Sequence, residues 1–222
     1  AELGKRLGEC LNWSNEVVIQ SDFGPTMVNI LYGPKMPRAQ MHEFAVSVSQ
    51  RHGKQRQMTF LIFGDDGAYV LTWKDGDEWK TEILGLDFSK FDSRQRGAVL
   101  DSNFALMKLM GVPERIIKLQ VNITKAPWMI RTKHLCVEFT HKIPTKVTGC
   151  DTTTEGNNLT HAVLCLELAR VYDGTLDRVR ALYRLAGFPI EVNQHDSIYS
   201  VPFLKCLWVP VTLPSGANSS AL

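Results

Sequence analysis

The sharpest hydrophobic pattern in the chain is a pair of apolar runs, 58–63 (Met-Thr-Phe-Leu-Ile-Phe) and 67–73 (Gly-Ala-Tyr-Val-Leu-Thr-Trp), with Gly64-Asp65-Asp66 between them. Short runs bounded by turn residues predict strands, and the tripeptide between them predicts a tight β-hairpin. A second turn follows at Lys74-Asp75-Gly76-Asp77, and 79–87 then reads as a strand entering a polar loop. Upstream, residues 1–36 show no period and are broken at Gly24-Pro25 and Gly33-Pro34, so they read as irregular. Pro37 opens a stretch in which Met41, Phe44, Ala45 and Val48 recur at helical spacing as far as Gly53.

Downstream of the strands, Ser93 is the expected N-cap of a helix carrying Leu100, Phe104 and Met107 on one face, stopped by Gly111-Val112-Pro113. Residues 114–147 alternate short apolar runs with Lys118, Lys125, Arg131, Lys133, Lys142 and Lys146, which predicts extended, hairpin-rich structure with a basic face. A polar loop over 148–156 leads into a largely apolar helix over 157–172, expected to lie buried under a sheet. Thr175 caps a short helix with Arg178, Arg180 and Arg184 outward, ended by Gly187 and Pro189. Residues 198–213 read as a last hairpin and 214–222 as a frayed tail. The sum predicts an α+β fold, helices packed on one face of an antiparallel sheet.

Composition narrows the class without naming a function. The 222 residues are 44% hydrophobic and 22% charged, a globular profile, and no apolar run approaches the ~20 residues that span a bilayer. Cys10, Cys136, Cys150, Cys165 and Cys206 are odd in number and lack C-x-x-C spacing, which argues against a disulfide framework or a zinc site and for a reducing compartment. The sequons at Asn12, Asn122, Asn158 and Asn218 read as chance in a chain with no signal-peptide pattern at its start, which itself reads as an excerpt. A net charge of +2 decides nothing about nucleic acid.

Chemistry concentrates in three places. Asp65 and Asp66 put two like charges at a hairpin tip, a cost that a divalent cation relieves, although Gly and Asp also suit an ordinary solvated turn. Leu86-Asp87-Phe88-Ser89-Lys90-Phe91-Asp92 places two further aspartates at a strand end, either as metal ligands converging from a second strand or as a solvated loop with a helix cap. Residues 148–157 (Thr-Gly-Cys-Asp-Thr-Thr-Thr-Glu-Gly-Asn) form a hydroxyl-rich loop entering a helix, able to offer donors to phosphate or sugar, or simply to cap that helix.

Together these resemble the palm of viral RNA-dependent RNA polymerases. Asp87 to Asp92 matches the D-x-x-x-x-D of motif A. Thr148-Gly149, Thr152-Thr153 and Gly156-Asn157 match motif B, and Gly64-Asp65-Asp66 matches motif C. The order here is C, A, B rather than A, B, C, which is similar to the permuted polymerases of permutotetraviruses and birnaviruses; the GDD tripeptide resembles the former. Leu185 to Ile190 resembles motif D, with His195 in the place where many relatives carry a general-acid lysine, or else a loop histidine facing solvent. Phe203-Leu204-Lys205 resembles motif E, with Lys205 near the primer or simply on an exposed strand.

The resemblance implies a ferredoxin-like palm core over 58–213, preceded by a partly helical segment at 1–57 and followed by a tail at 214–222. Within the core it implies motif C at 58–73, motif A at 79–92, a fingers-like insertion at 114–147, motif B at 148–172 and motifs D and E at 175–213. It further implies RNA-templated RNA synthesis, with Asp65, Asp66 and Asp87 holding two Mg²⁺ (or Mn²⁺) ions. Asp92 and Asn157 would read the ribose 2′-OH, and Gly149 and Thr153 would hold nucleotide or template. Lys35 and Arg38 stand in for the missing triphosphate-gripping motif, or are surface charges. The implied partners are an RNA template and nascent strand, nucleoside triphosphates, and fingers and thumb regions outside this chain, in host cytoplasm or virion. The alternatives are an inactive or incomplete polymerase-like module that binds RNA or a partner, and another palm-fold nucleotidyl-transfer enzyme.

Overall fold

A computed structural model of the chain describes residues 15–33, 55–140, 143–146, 153–203, 209–212 and 218–221. The strands in the first half are β1 (Asn15–Ser21), β2 (Gly24–Tyr32), β3 (Gln57–Phe63), β4 (Asp66–Asp75) and β5 (Glu78–Phe88). The helical turn α1 (Phe91–Arg94), helices α2 (Ala98–Leu109) and α3 (Glu114–Lys125), and strands β6 (Trp128–Arg131) and β7 (Cys136–Phe139) follow. Next come helices α4 (Thr153–Val171) and α5 (Leu176–Leu185), then strands β8 (Ile190–His195), β9 (Val209–Thr212) and β10 (Asn218–Ala221). The chain divides into two compact units, one holding the described residues of 90–160 and the other those of 15–89 and 161–221.

The second unit is built on a six-stranded sheet of order β1-β2-β3-β4-β5-β8, antiparallel at every pairing except β2 with β3. The fold is therefore α+β with a mostly antiparallel sheet, as the hydrophobic pattern predicts. Both faces of the central strands are covered, which is why Met58, Phe60, Leu61, Ile62, Ala68, Tyr69 and Leu71 are all buried and the two runs are apolar without alternation. One face carries Phe60, Tyr69 and Phe88 against the α4 residues from His161 onward and against α5. On the other face Leu31, Leu61, Ala68 and Val70 pack with Ile198, Val201 and Phe203. The helix α5 is capped as expected, the Thr175 side chain accepting from the Arg178 N–H, with Arg178, Arg180 and Arg184 exposed.

The first unit packs α2 against α3 through Phe104, Met107, Val112, Ile116 and Ile117, and carries the small β6–β7 hairpin.

Several expectations are corrected. Residues 15–32, expected to be irregular, form the β1–β2 hairpin; β2 then pairs in parallel with β3, a long-range contact that no local period announces. Ser93 does not cap the long helix: it lies inside α1, its hydroxyl donating to the Lys90 carbonyl, and α2 starts after Gly97. The break at 95–97 arises because this backbone bonds to 144–146 instead of continuing a helix, with Lys146 N–H donating to the Gln95 carbonyl and Gly97 N–H to that of Pro144. Residues 114–147 are not extended throughout, since Ile116, Ile117, Gln120, Val121 and Thr124 fall at helical spacing behind Pro113 and form one face of α3. Lys146 is buried at 5% exposure and is no part of a basic face. The last hairpin pairs β9 with β10, so 218–221 is strand and not frayed tail, while Ile198–Ser200 is a 3₁₀ turn. The helix expected over 37–53 lies outside the described residues.

One close contact gives a stability test within the sheet unit. Gly174 has φ +91°, and a Cβ there would lie 2.6 Å from the indole nitrogen of Trp73, a ring held edge-on against Tyr172. Gly174→Ala is expected to lower the unfolding free energy by about 2 kcal/mol or more, from backbone strain and displaced indole together. Urea unfolding followed by tryptophan fluorescence checks it.

Candidate functional site

The acidic tip is assembled by strand register. Phe63 faces Asp66 across the β3–β4 hairpin, which leaves a two-residue loop of Gly64 and Asp65. Gly64 has φ +64° and Asp65 a negative φ, the combination that a type II′ turn requires with glycine first. In the β4–β5 ladder Asp66 is directly opposite Asp87, so their side chains leave the same face of the sheet. The Phe88 N–H donates to the Asp65 carbonyl at 3.3 Å, which ties the loop itself to the end of β5. Asp65 and Asp87 are exposed and Asp66 is half-buried. Opposed residues in an antiparallel pair stand about 4.5–5.5 Å apart at Cα, and like charges placed that way are destabilising unless something offsets them.

A further carboxylate joins this row. Glu191 on β8 is directly opposite Asp87, on the same face and exposed. Sequence reasoning missed it because the pairing of β8 with β5 is non-local. His195, by contrast, is opposite Ile83, four residues down the ladder from Glu191, about 13 Å along the strand. Its imidazole stands where a side chain at Gly85 would touch it, close to Val201, and its Nε2 has no hydrogen-bond partner. The structure thus sets Asp66 beside Asp87, with Asp65 next to them in the loop, and leaves His195 apart from them.

The opposite face of the same tip is closed by a buried polar network. His161 Nδ1 lies 3.1 Å from the Gly64 carbonyl, and its Nε2 is hydrogen-bonded to the Tyr69 hydroxyl. The Tyr69 oxygen is 2.7 Å from the Tyr183 hydroxyl and 3.4 Å from the Cys165 thiol. A carbonyl only accepts, so Nδ1 carries the proton and Nε2 accepts from Tyr69. Burial drives the imidazole pKa down to about 3, opposed in part by the bond to Gly64, and it raises those of Tyr69 and Tyr183 and pushes the Cys165 thiol up to about 12. All four groups are neutral, and each proton has an acceptor. Phe88 packs edge-on to the imidazole with ring centres 4.8 Å apart.

The other unit holds the second candidate pair. Asn157 Nδ2 donates to Asp92 Oδ1 at 2.6 Å. The Asn157 Oδ1 accepts from Lys146 Nζ at 2.7 Å and from Gln95 Nε2 at 2.6 Å, which fixes the amide orientation. Lys146 Nζ also donates to the Thr153 carbonyl and to Gln95 Oε1, so its three protons meet three oxygens. Gly156 makes this possible, because a Cβ there would sit 2.5 Å from Nζ. Lys146 and Gln95 were not foreseen as site residues; no spacing rule reaches from 95 to 146 to 157. Gly149, Lys205, Lys35 and Arg38 lie outside the described residues.

Carboxylate oxygens are the donors that Mg²⁺ and Mn²⁺ take, and two of them converging from adjacent strands fit a divalent ion. Among the described residues no group of three His, Cys, Asp or Glu side chains is placed to hold a metal ion by itself. No protein-family model and no curated protein matches the chain.

The neutral buried His161 gives a pH dependence with a definite sign. Its folded pKa is about 3 against an unfolded value of 6.5, so below pH 6.5 the unfolded chain takes up a proton that the folded one refuses. Stability from this group is complete above pH 6.5 and falls as pH drops toward 3, by at most about 1.4 kcal/mol per pH unit. Urea unfolding between pH 7 and pH 4 should therefore show a steeper acid loss for the wild type than for His161→Asn. Equal slopes would place the acid sensitivity elsewhere.

Proposed function

We propose that the chain is the palm of a template-directed, viral-type RNA polymerase whose GDD hairpin precedes the other two motifs. The observation that carries this reading is the register: Asp66 directly opposite Asp87, with the Asp65 carbonyl held by the Phe88 N–H. Aspartates from two sequence motifs face each other across adjacent strands at one end of the sheet, with Asp65 beside them in the loop, which the motif match requires and a merely solvated turn does not. A permuted order is no obstacle, since ligands are selected by convergence and β4 is joined to β5 by the short turn at Gly76 and Asp77.

In this reading Asp65, Asp66 and Asp87 supply oxygen donors to Mg²⁺ or Mn²⁺, which when bound acidifies the 3′-OH of the nascent strand and grips the triphosphate. Asp92 and Asn157 read the ribose. Asp92 is the acceptor a 2′-OH needs, and Lys146 and Gln95 keep the Asn157 amide turned toward it. Thr153 has its carbonyl engaged by Lys146, so its part is to hold the first turn of α4. The exposed Lys118, Lys125, Arg131 and Lys133 offer phosphate attraction to an RNA strand. His195 is not given the general-acid role, because β8 holds it down the strand from the acidic row.

Primer extension on an RNA template with Mg²⁺ or Mn²⁺ tests the reading. Asp65→Asn and Asp87→Asn are expected to lose about 10²-fold or more in incorporation rate, the scale of removing a group aimed at developing charge. Incorporation equal to wild type would sink the catalytic assignment and leave an RNA- or partner-binding module. Asn157→Ala should narrow the preference for ribo- over deoxyribonucleotides by about tenfold, the worth of one hydrogen bond. An unchanged ratio would remove the pair from sugar selection.

A further inference from the structure

The tip of the β3–β4 hairpin is exposed on the acidic face, yet its opposite side is closed by buried, hydrogen-bonded groups. His161 is fully buried, donates from Nδ1 to the carbonyl of Gly64, accepts at Nε2 from Tyr69 and packs against the ring of Phe88. Gly64 is bonded to Asp65, and Phe88 to Asp87. One imidazole thus touches the residue next to each of the two principal acidic positions, from the face opposite the Asp87 side chain.

Space for the ring has been cleared in the hairpin itself. A Cβ on Gly67 would lie 2.8 Å from Tyr69 Cε1 and 3.1 Å from His161 Cε1, so a side chain at 67 would displace the Tyr69 ring and crowd the imidazole bonded to it. Tyr69 is in turn held by the hydroxyl of Tyr183 and the thiol of Cys165. The anchor therefore runs from the GDD turn through His161 and Tyr69 to two helices.

We propose that His161 is a positioning residue for the acidic tip: by holding the Gly64 carbonyl and bracing Phe88, it fixes the backbone from which Asp65 and Asp87 present their carboxylates. This rests on the polymerase reading for its catalytic consequence, and on the geometry alone for the anchor. The residue touches no reacting atom. Its effect is on where the ligands stand, and displacements of about 1 Å in such groups cost about 10²-fold in rate.

The two ring nitrogens allow a test that separates anchoring from bulk. An asparagine places its amide nitrogen where Nδ1 was and can donate to Gly64, whereas a glutamine reaches the Nε2 position toward Tyr69, and a phenylalanine fills the space with neither bond. In primer extension, His161→Phe and His161→Gln are expected to lose about 10- to 100-fold in kcat with KM for the nucleotide little changed, and His161→Asn to restore most of it. Gly67→Ala should reproduce the phenylalanine defect from the other side of the contact. Wild-type kcat in His161→Phe, or rescue by glutamine in place of asparagine, would overturn the proposal.

A wild type that incorporates nothing with either metal ion would count against the polymerase reading rather than the anchor. The ¹⁵N shifts of the imidazole decide the anchor independently. A protonated Nδ1 supports it, together with Asp65 and Phe88 amide resonances that sharpen in the wild type and broaden in His161→Phe. A protonated Nε2, or amides unaffected by the substitution, overturns it.

Discussion

The register of β4 against β5 is the constraint on which the acidic tip depends. Strand side chains alternate between faces, so a slip of one residue would turn Asp87 inward against the helices and bring Leu86 out beside Asp66. Burial enforces the register from both sides. Tyr69, Leu71, Leu84 and Leu86 are buried on the helix face, and Ala68 and Val70 on the other. The tight turn between β4 and β5 fixes it from one end, with Gly76 at positive φ as the first residue of a two-residue loop. Like charges at 66 and 87 pull against this arrangement, yet burial along the rest of the ladder outweighs a repulsion of the order of 1 kcal/mol per opposed pair.

Each unit then adds a buried polar network that holds its candidate residues in place. In the sheet unit His161, Tyr69, Tyr183 and Cys165 are neutral donors and acceptors in a closed sequence. In the other unit the Lys146 ammonium is satisfied by Gln95, Thr153 and Asn157. Both networks need a glycine to make room, Gly67 for the imidazole and Gly156 for the ammonium. Such networks are costly when one member is missing, because the orphaned partner stays out of water. They hold geometry more than they add stability, which suits groups that stand behind a site rather than in it.

The sequence is legible where local period and turn chemistry decide. The β3–β4 hairpin, the strand ending at Asp87 and the Thr175 cap were all readable because neighbours along the chain determine them. It is illegible where distant segments decide. The parallel partner of β2, the landing of β8 beside β5 and the burial of Lys146 depend on residues tens of positions away. His161 gave no signal at all, since a histidine among apolar helix residues looks like any core position until the carbonyl it faces is known. The helix α3 was hidden by alternating lysines that suggested strands, although the spacing of Ile116, Ile117, Gln120 and Thr124 was helical all along.

Under the polymerase reading, the early position of the hairpin has a physical advantage. Asp66 and Asp87 lie on two strands of a single meander, joined by one two-residue turn, so they are brought together by local chain closure. Were the hairpin placed after the helices, the same pair would meet only by a long crossover, whose closure entropy grows with the length of chain enclosed. The long-range cost is instead borne by β8, which must return past α4 and α5 to pair with β5. The late strand carries Glu191 and His195, whereas the residues this reading assigns to the metal sit on or beside strands joined by short local turns. In that reading a permuted order would move the least local pairing away from the residues whose placement matters most.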